Sequence, residues 1–286
     1  MALVTRDIVS LAVELLARML VLPQTALRVP GTDYHGSGGT AIVRVPQRLT
    51  ANQQVVGGDP ISFDSLDETE IAVVLEHWYS AVKITDEELT LDVRDFANQV
   101  LAPMIAAVAA AGEDRLAAVI NGLAATSSFA LAEDPEDTKD VILAARETLV
   151  DNDVPAAGRY LAVSPQIASR LFKVDTFVKV NESGSPDALR NATLGSIYGL
   201  QVVESSALTD GEAAVYHRSA LAFATLAPAV PSGAASARAQ AVQGIALRVL
   251  QDFDASVLSD VIAVNTFGGA ELVDGDRIVK LDTAVA

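Results

Sequence analysis

The sequence of 286 residues predicts an α+β fold, in which one long helix and several groups of strands occupy separate stretches of the chain. Residues 38–84 are rich in β-forming side chains, whereas apolar residues between Thr85 and Leu123 recur every three or four positions, as in an amphipathic helix. Residues 246–281 again resemble successive strands. Because 50% of the residues are hydrophobic, we expect a globular protein with a sizeable core.

The N-terminal segment is predicted to be a helix followed by an extended arm. The run from Ile8 to Leu22 is apolar, but Glu14 and Arg18 interrupt it, which favours an amphipathic helix over a signal peptide. Pro23–Gly39 is rich in Pro and Gly and is predicted to be the arm. No stretch reaches the roughly 20 uninterrupted apolar residues of a membrane span, so we expect no membrane partner.

Residues 38–84 are predicted to form a long two-stranded ribbon. Thr40–Pro46 alternates apolar and polar residues, Glu70–Ile84 is rich in β-branched and aromatic residues, and Gly57–Pro60 between them is a turn sequence. A ribbon of two strands is only marginally stable by itself in water. We therefore expect a partner chain to cover it.

The long helix is the clearest local prediction. Thr85 and Glu88 form a capping box, in which each side chain bonds the backbone N–H of the other residue. Apolar residues at helical spacing then continue to Leu123, and Pro103 is predicted to kink or split the helix.

The rest of the chain is predicted to be an α/β region followed by strands. The predicted elements are helix Thr138–Leu149, strand Arg159–Val163, helix Gln166–Phe172, and strands at Leu200–Val203, Ala213–Tyr216, Ala220–Ala224, Ala246–Phe253, Val257–Asn265, Ala270–Val273 and Arg277–Leu281. Pro228–Ala241 is predicted to be a surface connection without a strand of its own, and Phe267–Gly269 is predicted to be a turn.

Composition and charge restrict the possible functions. The net charge is −17, and the chain has no Lys/Arg cluster, so we expect at most weak and non-specific contact with DNA. The absence of Cys excludes thiolate catalysis and Cys-ligated metal. His35, His77 and His217 lack metal-ligand spacing, and no serine has the context of a nucleophile. We therefore predict no catalytic, cofactor-binding or metal site.

Four phrases resemble the major capsid proteins of tailed bacteriophages, in the same order along the chain. They are the long-helix phrase Ile84–Leu123, which opens ITDEEL, the strand-helix phrase RYLAVSPQIASRLFK at Arg159–Lys173, the phrase GSIYGLQVVESSAL at Gly195–Leu208, and the closing strands Ala246–Asp274. The resemblance implies the capsid fold that this family shares with bacterial encapsulins, built around a long spine helix.

The resemblance also implies a division of the chain. It implies an N-terminal arm at 1–37, an extended β loop at 38–84, a peripheral domain at 85–130 and 246–286 that contains the spine helix, and an axial α/β domain at 131–245. In this family the extended loop lies across a neighbouring subunit, which agrees with the ribbon's expected need for a partner.

The function implied is a structural protein that self-assembles into the pentamers and hexamers of an icosahedral phage head around double-stranded DNA. The expected partners are further copies of the chain, a separate scaffolding protein, a portal and decoration proteins, with assembly in the host cytoplasm and a final location in the virion. Two alternatives remain open, which are an encapsulin-type compartment shell and an α/β enzyme with an unrecognised site.

Candidate intersubunit contacts lie on the ribbon. They are Arg44, Arg48, Asp64, Asp67 and Glu68, whose opposite charges could pair between subunits. Some relatives crosslink through a lysine of the extended loop, but the first lysine here is Lys83. We therefore expect a shell without isopeptide links.

Overall fold

A computed structural model describes residues 12, 20–29, 38–47, 49, 51–53, 63–91, 96–125, 135–173, 195–242 and 245–283. The first half contains α1 (Leu22–Thr25), β1 (Leu27–Val29), β2 (Thr40–Pro46), β3 (Glu68–Val74), β4 (Glu76–Thr85), α2 (Asp86–Leu91) and α3 (Ala102–Asn121). The second half contains α4 (Pro135–Asp151), β5 (Arg159–Val163), α5 (Pro165–Leu171), β6 (Ser196–Ile197), β7 (Leu200–Glu204), β8 (Glu212–His217), β9 (Leu221–Leu226), β10 (Ser236–Val242), β11 (Ile245–Asp254), β12 (Ser259–Leu272) and β13 (Ile278–Asp282). None of these helices is long and apolar enough to cross a membrane.

A six-stranded sheet carries the largest core. Its strands lie in the order β1-β9-β12-β11-β10, and β4 also pairs with β12. Strand β12 runs for 14 residues and is antiparallel to β4, β9 and β11. Ile262 and Val264 on its inner face belong to one buried cluster with Ile105 and Leu116 of α3. The long helix therefore covers one face of this sheet.

The long helix begins where the sequence predicts, and its geometry changes next to Pro103. The backbone N–H of Thr85 donates to Glu88 Oε2 at 3.0 Å, and the N–H of Glu88 donates to Thr85 Oγ1 at 3.3 Å. A π-helical turn at Ala97–Leu101 precedes α3, which has Pro103 in its first turn. A proline is tolerated there because that position needs no intrahelical donor. The predicted kink or split at Pro103 takes the form of a change from π-helical to α-helical geometry in a backbone that stays helical, and α3 ends at Asn121.

A second sheet has five strands in the order β13-β8-β5-β7-β6. Strands β5 and β7 are parallel, while β8 is antiparallel to both β5 and β13. Helices α4 and α5 cover it, with Ile142 and Leu149 of α4 and Ile167 of α5 in the same buried cluster as Leu161 of β5. The predicted helix–strand–helix order of this region is confirmed.

The predicted ribbon of residues 38–84 is partly wrong, because the segment Glu70–Ile84 is divided and β4 pairs with β12 in the six-stranded sheet rather than with β2. In the part of the chain that the structure describes, the ribbon is formed by β2 and β3 alone, and its base is supported by its own chain. Strands β2 and β3 pair antiparallel, and Ala41, Val43 and Val73 on one face are buried. They belong to one cluster with Ala222 and Ala224 of β9. Only the more distal part and the opposite face of the ribbon lack such cover among the described residues.

Two predictions about the C-terminal strands are wrong. Ser236–Val242, which overlaps the end of the predicted connection Pro228–Ala241, is strand β10 and pairs with β11 along its whole length. The segment alternates alanine with polar residues, but alanine is a weak strand former, so its composition conceals the strand. Phe267–Gly269, predicted as a turn, lies inside the continuous strand β12. Its glycines are needed for close packing rather than for a reversal of the chain.

At these two glycines, β12 packs closely against Trp78 of β4 and against Val74 at the end of β3. A Cβ on Gly268 would lie 2.0 Å from Cζ3 of Trp78, and one on Gly269 would lie 2.1 Å from the carbonyl oxygen of Val74. Neither position has room for a side chain. The glycines therefore let β4 and the base of β3 lie directly against β12.

The strand pairing does not follow the predicted division of the chain at residues 131–245 and 246–286. Strand β9 belongs to the six-stranded sheet, whereas β13 pairs with β8 in the five-stranded sheet. The chain thus crosses between the two sheets more often than that division implies. Most of the predicted helix Ile8–Leu22, together with Arg48 and His35, lies outside the described residues.

Candidate assembly surfaces and the joint between the sheets

The distal ribbon exposes large apolar side chains. Phe63 is 86% exposed, Leu66 71% and Leu49 57%. Single exposed apolar residues are ordinary, but these three large ones all lie just beyond the paired strands β2 and β3, in the same connection. This group of three residues is called the ribbon tip below. It is a candidate contact surface that charge-based sequence reasoning missed.

The predicted contact residues of the ribbon partly pair with each other within the chain. Arg44 Nη2 lies 3.1 Å from Glu70 Oε1, and its Nη1 lies 3.7 Å from Glu68 Oε2. The register explains this pairing, because Arg44 of β2 stands directly opposite Glu70 of β3. Arg44 and Glu68, both predicted as intersubunit contacts, thus lie within ion-pair distance of each other in one chain.

The other acidic candidates of the ribbon have no cationic partner among the described residues. Ser65 Oγ donates to Asp67 Oδ2 at 3.2 Å, and the backbone N–H of Gln47 donates to the carbonyl of Asp67 at 3.0 Å. Asp64 is exposed next to Phe63. These carboxylates remain available to a cation of another molecule.

Glu113 of α3 connects three separate segments. Its carboxylate accepts from the backbone N–H of Val21 at 2.9 Å, from that of Leu22 at 3.0 Å, and from Ser205 Oγ at 2.8 Å. It thereby satisfies N–H groups at the start of α1, where no intrahelical acceptor exists. One side chain of the long helix therefore holds the N-terminal segment and the loop after β7 together.

A buried hydroxyl strengthens the same connection. Thr25 Oγ1 and Tyr216 Oη lie 2.6 Å apart, and Tyr216 is fully buried in β8. Burial raises the pKa of Tyr216, so its hydroxyl stays protonated and available for this hydrogen bond. The N-terminal segment is thus tied to both sheets.

A buried ion pair joins the second sheet to the end of α3. Lys280 Nζ of β13 lies 2.9 Å from Glu212 Oε1 of β8, and it donates to the carbonyl of Asn121 at 2.7 Å. The side chains of Lys280 and Glu212 are only 6% and 12% exposed. The pair fixes β13 and β8 against the last residue of the long helix.

His217 lies in a hydrogen-bonded chain at the edge of the second sheet. Its Nδ1 is 2.8 Å from Ser219 Oγ, and its Nε2 is 3.1 Å from the carbonyl oxygen of Ala157. Arg277 Nη1 donates to the same Ser219 Oγ at 2.6 Å. Burial lowers the pKa of His217, and nearby arginines lower it further. The neutral imidazole donates from Nε2 and accepts at Nδ1, and this role is structural.

The described residues contain no group of three or more His, Asp or Glu that could hold a metal ion. His77 packs against Phe267 with ring centroids 4.8 Å apart, on the six-stranded sheet, whereas His217 lies in the five-stranded one. Ser205 donates to Glu113 and has no histidine beside it among its hydrogen-bond partners. The described residues instead provide exposed apolar side chains on the ribbon and buried polar contacts that connect the two sheets to the long helix.

No protein-family model matches the chain, and no curated protein matches it by sequence. Solved structures do match. The structure of Mycobacterium phage Che8 has a TM-score of 0.64 at 20% identity, covering 94% of this chain and 91% of that one. The capsid of Ralstonia phage GP4 has a TM-score of 0.63 at 11% identity, covering 91% and 87%.

A virus-like particle from Pyrococcus furiosus matches with a TM-score of 0.57 at 11% identity, covering 96% of both chains. These matches extend over nearly the whole chain rather than over one sheet. The predicted fold is therefore confirmed: the chain has the fold of phage capsid proteins.

Proposed function

We propose that this chain is the major capsid protein of a tailed bacteriophage, and that its copies assemble into the pentamers and hexamers of an icosahedral head. The observation that carries the proposal is the full-length match to phage structures, two of which have TM-scores of 0.64 and 0.63. The sequence phrases that resemble this family support the same assignment independently of the coordinates.

The physical character of the surface fits a subunit that works through its interfaces. The ribbon extends from a base packed on its own sheet to an exposed apolar tip, and its unpaired carboxylates lie near that tip. A ribbon of this kind gains stability when another chain covers it. In this proposal the ribbon of each subunit lies on a neighbouring one, and the chain catalyses no reaction.

The proposed partners follow from this role. Copies of the chain surround one another in the shell, a scaffolding protein guides assembly in the host cytoplasm, and a portal and decoration proteins complete the virion. The net charge of −17 limits contact with packaged DNA to weak, non-specific interaction. With no lysine in residues 38–82, the ribbon offers no amine for an isopeptide link.

The second candidate function is an encapsulin-type compartment shell. The virus-like particle from Pyrococcus furiosus matches 96% of this chain, so the fold alone does not separate a phage head from another protein shell. What the assembled particle contains distinguishes a phage head from a compartment shell. Packaged DNA with a portal at one vertex fits the phage head, whereas an enclosed enzyme fits the compartment.

Sedimentation and electron microscopy test the proposal. We expect the chain, co-expressed with the proteins encoded beside it, to sediment as closed shells. Phe63→Ser at the ribbon tip should reduce the yield of shells, because it removes an apolar anchor that is 86% exposed in the free subunit. Val230→Ser, at another exposed apolar residue, is the control and should leave the yield unchanged.

Two results would count against the proposal. Small oligomers or monomers under every condition would contradict a capsid function altogether. Shells that form equally well with Phe63→Ser and Val230→Ser would retain the function but remove the ribbon tip from the assembly contacts. Circular dichroism should show the same fold for both variants, because neither residue belongs to a buried cluster.

A further inference from the structure

The fold gathers arginines that lie far apart in the sequence. Arg159 of β5 stands directly opposite His217 of β8, and Arg218 follows at the end of that strand. Arg277 reaches the same place from the turn before β13, because its Nη1 and the Nδ1 of His217 bond the same Ser219 Oγ at 2.6 and 2.8 Å. Three arginines from three stretches of the chain therefore surround one histidine at one end of the five-stranded sheet.

Two further arginines extend this group. The positive charge of Arg146 on α4 acts on Arg159, and that of Arg218 acts on Arg28 of β1. Burial lowers the pKa of Arg159 and that of Arg28, and in both cases the neighbouring arginine lowers the pKa further. The five residues Arg28, Arg146, Arg159, Arg218 and Arg277 are called the arginine cluster below.

Backbone contacts fix two members of the cluster. Gly158 has a φ of +83°, a conformation that favours glycine, and its carbonyl accepts from the backbone N–H of Arg218 at 3.0 Å. A Cβ on Gly158 would lie 3.4 Å from Cδ of Arg218. The guanidinium of Arg159 donates to the carbonyls of Val154 and Pro155, which holds it in place. The cluster therefore needs little rearrangement to bind an anion.

The cluster carries more positive charge than its surroundings neutralise. Arg277 pairs with Asp274 at 2.8 Å. Arg146, Arg159 and Arg218 form no ion pair with a carboxylate of the described residues. Like charges held close together repel one another, and a bound anion removes this repulsion. Because the chain has 37 acidic residues against 20 Lys and Arg, its composition does not account for a group of unpaired arginines.

The charge of the cluster favours phosphate groups along a polymer. A guanidinium can bond a phosphate through two N–H groups at once. A single carboxylate would neutralise only one of the unpaired arginines, whereas a nucleic acid carries one charge on each successive phosphate. The net charge of −17 does not prevent the contact, because exposed charges more than about 8 Å away are largely screened at physiological ionic strength.

We propose that the arginine cluster is a binding site for the phosphate backbone of a nucleic acid. The exposed Arg218 and the half-buried Arg28 and Arg146 contact the phosphates, and the buried Arg159 adds positive charge behind them. Such a contact is independent of base sequence, because phosphates carry no sequence information. The proposal rests on the proposed capsid function, in which shells surround double-stranded DNA, and it assigns the contact to named residues.

Fluorescence anisotropy of the unassembled full-length chain tests the site. The probe is a labelled duplex of about 20 base pairs, titrated from about 50 mM salt upward. We expect Arg218→Glu to weaken binding roughly tenfold or more, and to lower the slope of log affinity against log salt by about 1, as the loss of one phosphate contact does. Arg146→Glu is the second variant and should act in the same direction.

Arg238→Glu is the matched control. It changes the net charge by the same amount, at an exposed residue of β10, and β10 lies at the opposite edge of the six-stranded sheet from β1, which carries Arg28. Its affinity for the duplex should stay within about twofold of the unmodified chain, because a distant charge is screened. Circular dichroism should show the same fold for all three variants.

A second polyanion tests whether the site selects phosphate. Polyglutamate, added at the same concentration of charge as unlabelled duplex, should displace less of the labelled probe, because its carboxylates are the weaker match for several guanidinium groups. Equal displacement by polyglutamate and by duplex would overturn the assignment to nucleic acid.

The remaining outcomes separate this inference from the function on which it rests. Equal weakening by Arg218→Glu and Arg238→Glu would show that only net charge matters and would overturn the site, as would a lack of duplex binding by the unmodified chain. Either result would leave the capsid function standing if the unmodified chain forms closed shells. Failure to form shells would overturn the capsid function and with it the role of the cluster in holding packaged DNA.

Discussion

At the scale of single residues, the buried pair of Lys280 and Glu212 has the largest energetic consequence. Both side chains are nearly inaccessible, and Glu212 Oε2 has no hydrogen-bond partner among the described residues. Removing one partner leaves a charge buried without compensation, which costs more than the pair itself contributes. The pair is therefore a weak source of net stability and a strong constraint on substitution.

We predict that Lys280→Met lowers the free energy of unfolding by about 3–5 kcal/mol. The double variant Lys280→Met/Glu212→Leu should recover most of this loss, because no buried charge remains. Arg44→Met breaks an ion pair whose side chains are 65% and 55% exposed, and should cost less than about 1 kcal/mol. Urea denaturation of the unassembled chain measures all three. A similar loss for Lys280→Met and Arg44→Met would contradict this account.

His217 makes the folded chain sensitive to mild acid. Its pKa is lower in the folded chain than the ordinary value of 6.5, because burial disfavours the charged form. As the pH is lowered, His217 is therefore protonated at a higher pH in the unfolded chain than in the folded one. The free energy of unfolding should fall as the pH drops below about 6.5. Three arginines lower the pKa further, and they are Arg277, Arg218 and Arg159.

We expect the free energy of unfolding to be lower at pH 5.5 than at pH 7.5, and His217→Gln to reduce this difference. Glutamine can keep the hydrogen bond to Ala157 but does not titrate. Both pH values lie above the ordinary pKa of carboxylates, so acidic residues contribute little in this window. An equal pH dependence in the variant and the unmodified chain would exclude His217 as its source.

At the scale of elements, the pairing of β4 with β12 depends on the lack of a side chain at Gly268. Trp78 of β4 occupies the space that a Cβ would need, at a distance of 2.0 Å. The contact places the indole of Trp78 against the largest core cluster. The two strands pair over ten positions from Ser259 to Gly268.

We predict that Gly268→Ala lowers the free energy of unfolding by about 1–3 kcal/mol, because Trp78 must move out of its packed position. Gly233→Ala is the matched control, since a Cβ there meets nothing within 4 Å. It should change stability by less than about 0.5 kcal/mol. Thermal or urea unfolding of both variants compares them, and equal stabilities would show that the β4–β12 pair tolerates a side chain at Gly268.

Elements with strong local signatures could be predicted from the sequence. The capping box at Thr85 and the strand Arg159–Val163 appear as expected, and a change of helix type lies next to Pro103. Strand β10 was missed although Ser236–Val242 alternates alanine with polar residues, because alanine has a low strand propensity and the pairing with β11 is a tertiary effect. Phe267–Gly269 was predicted as a turn for a related reason: in a sequence, a glycine required by packing cannot be told from a glycine required by a turn.

Contact surfaces were harder to predict than elements. The sequence suggested charged residues of the ribbon, and two of these, Arg44 and Glu68, turned out to lie within ion-pair distance of each other. The exposure of Phe63 cannot be known from the sequence, because it depends on how the strands pair and pack. Surfaces formed by several strands depend on the fold, and one sequence does not encode them locally.

At the scale of the whole molecule, the structure combines rigid joints with a projecting ribbon. Glu113, Lys280 and Tyr216 tie the N-terminal segment, the long helix and both sheets into one body. The ribbon extends from this body with its base buried and its tip exposed. A rigid body with one extended contact element suits repeated, symmetric association.

Cryo-electron microscopy of the assembled particle tests the central claim most directly. The account predicts a closed icosahedral shell in which this chain forms the pentamers and hexamers and each ribbon tip lies on a neighbouring subunit. A shell built from another protein, or a reconstruction in which this chain forms only a small closed oligomer, would contradict it.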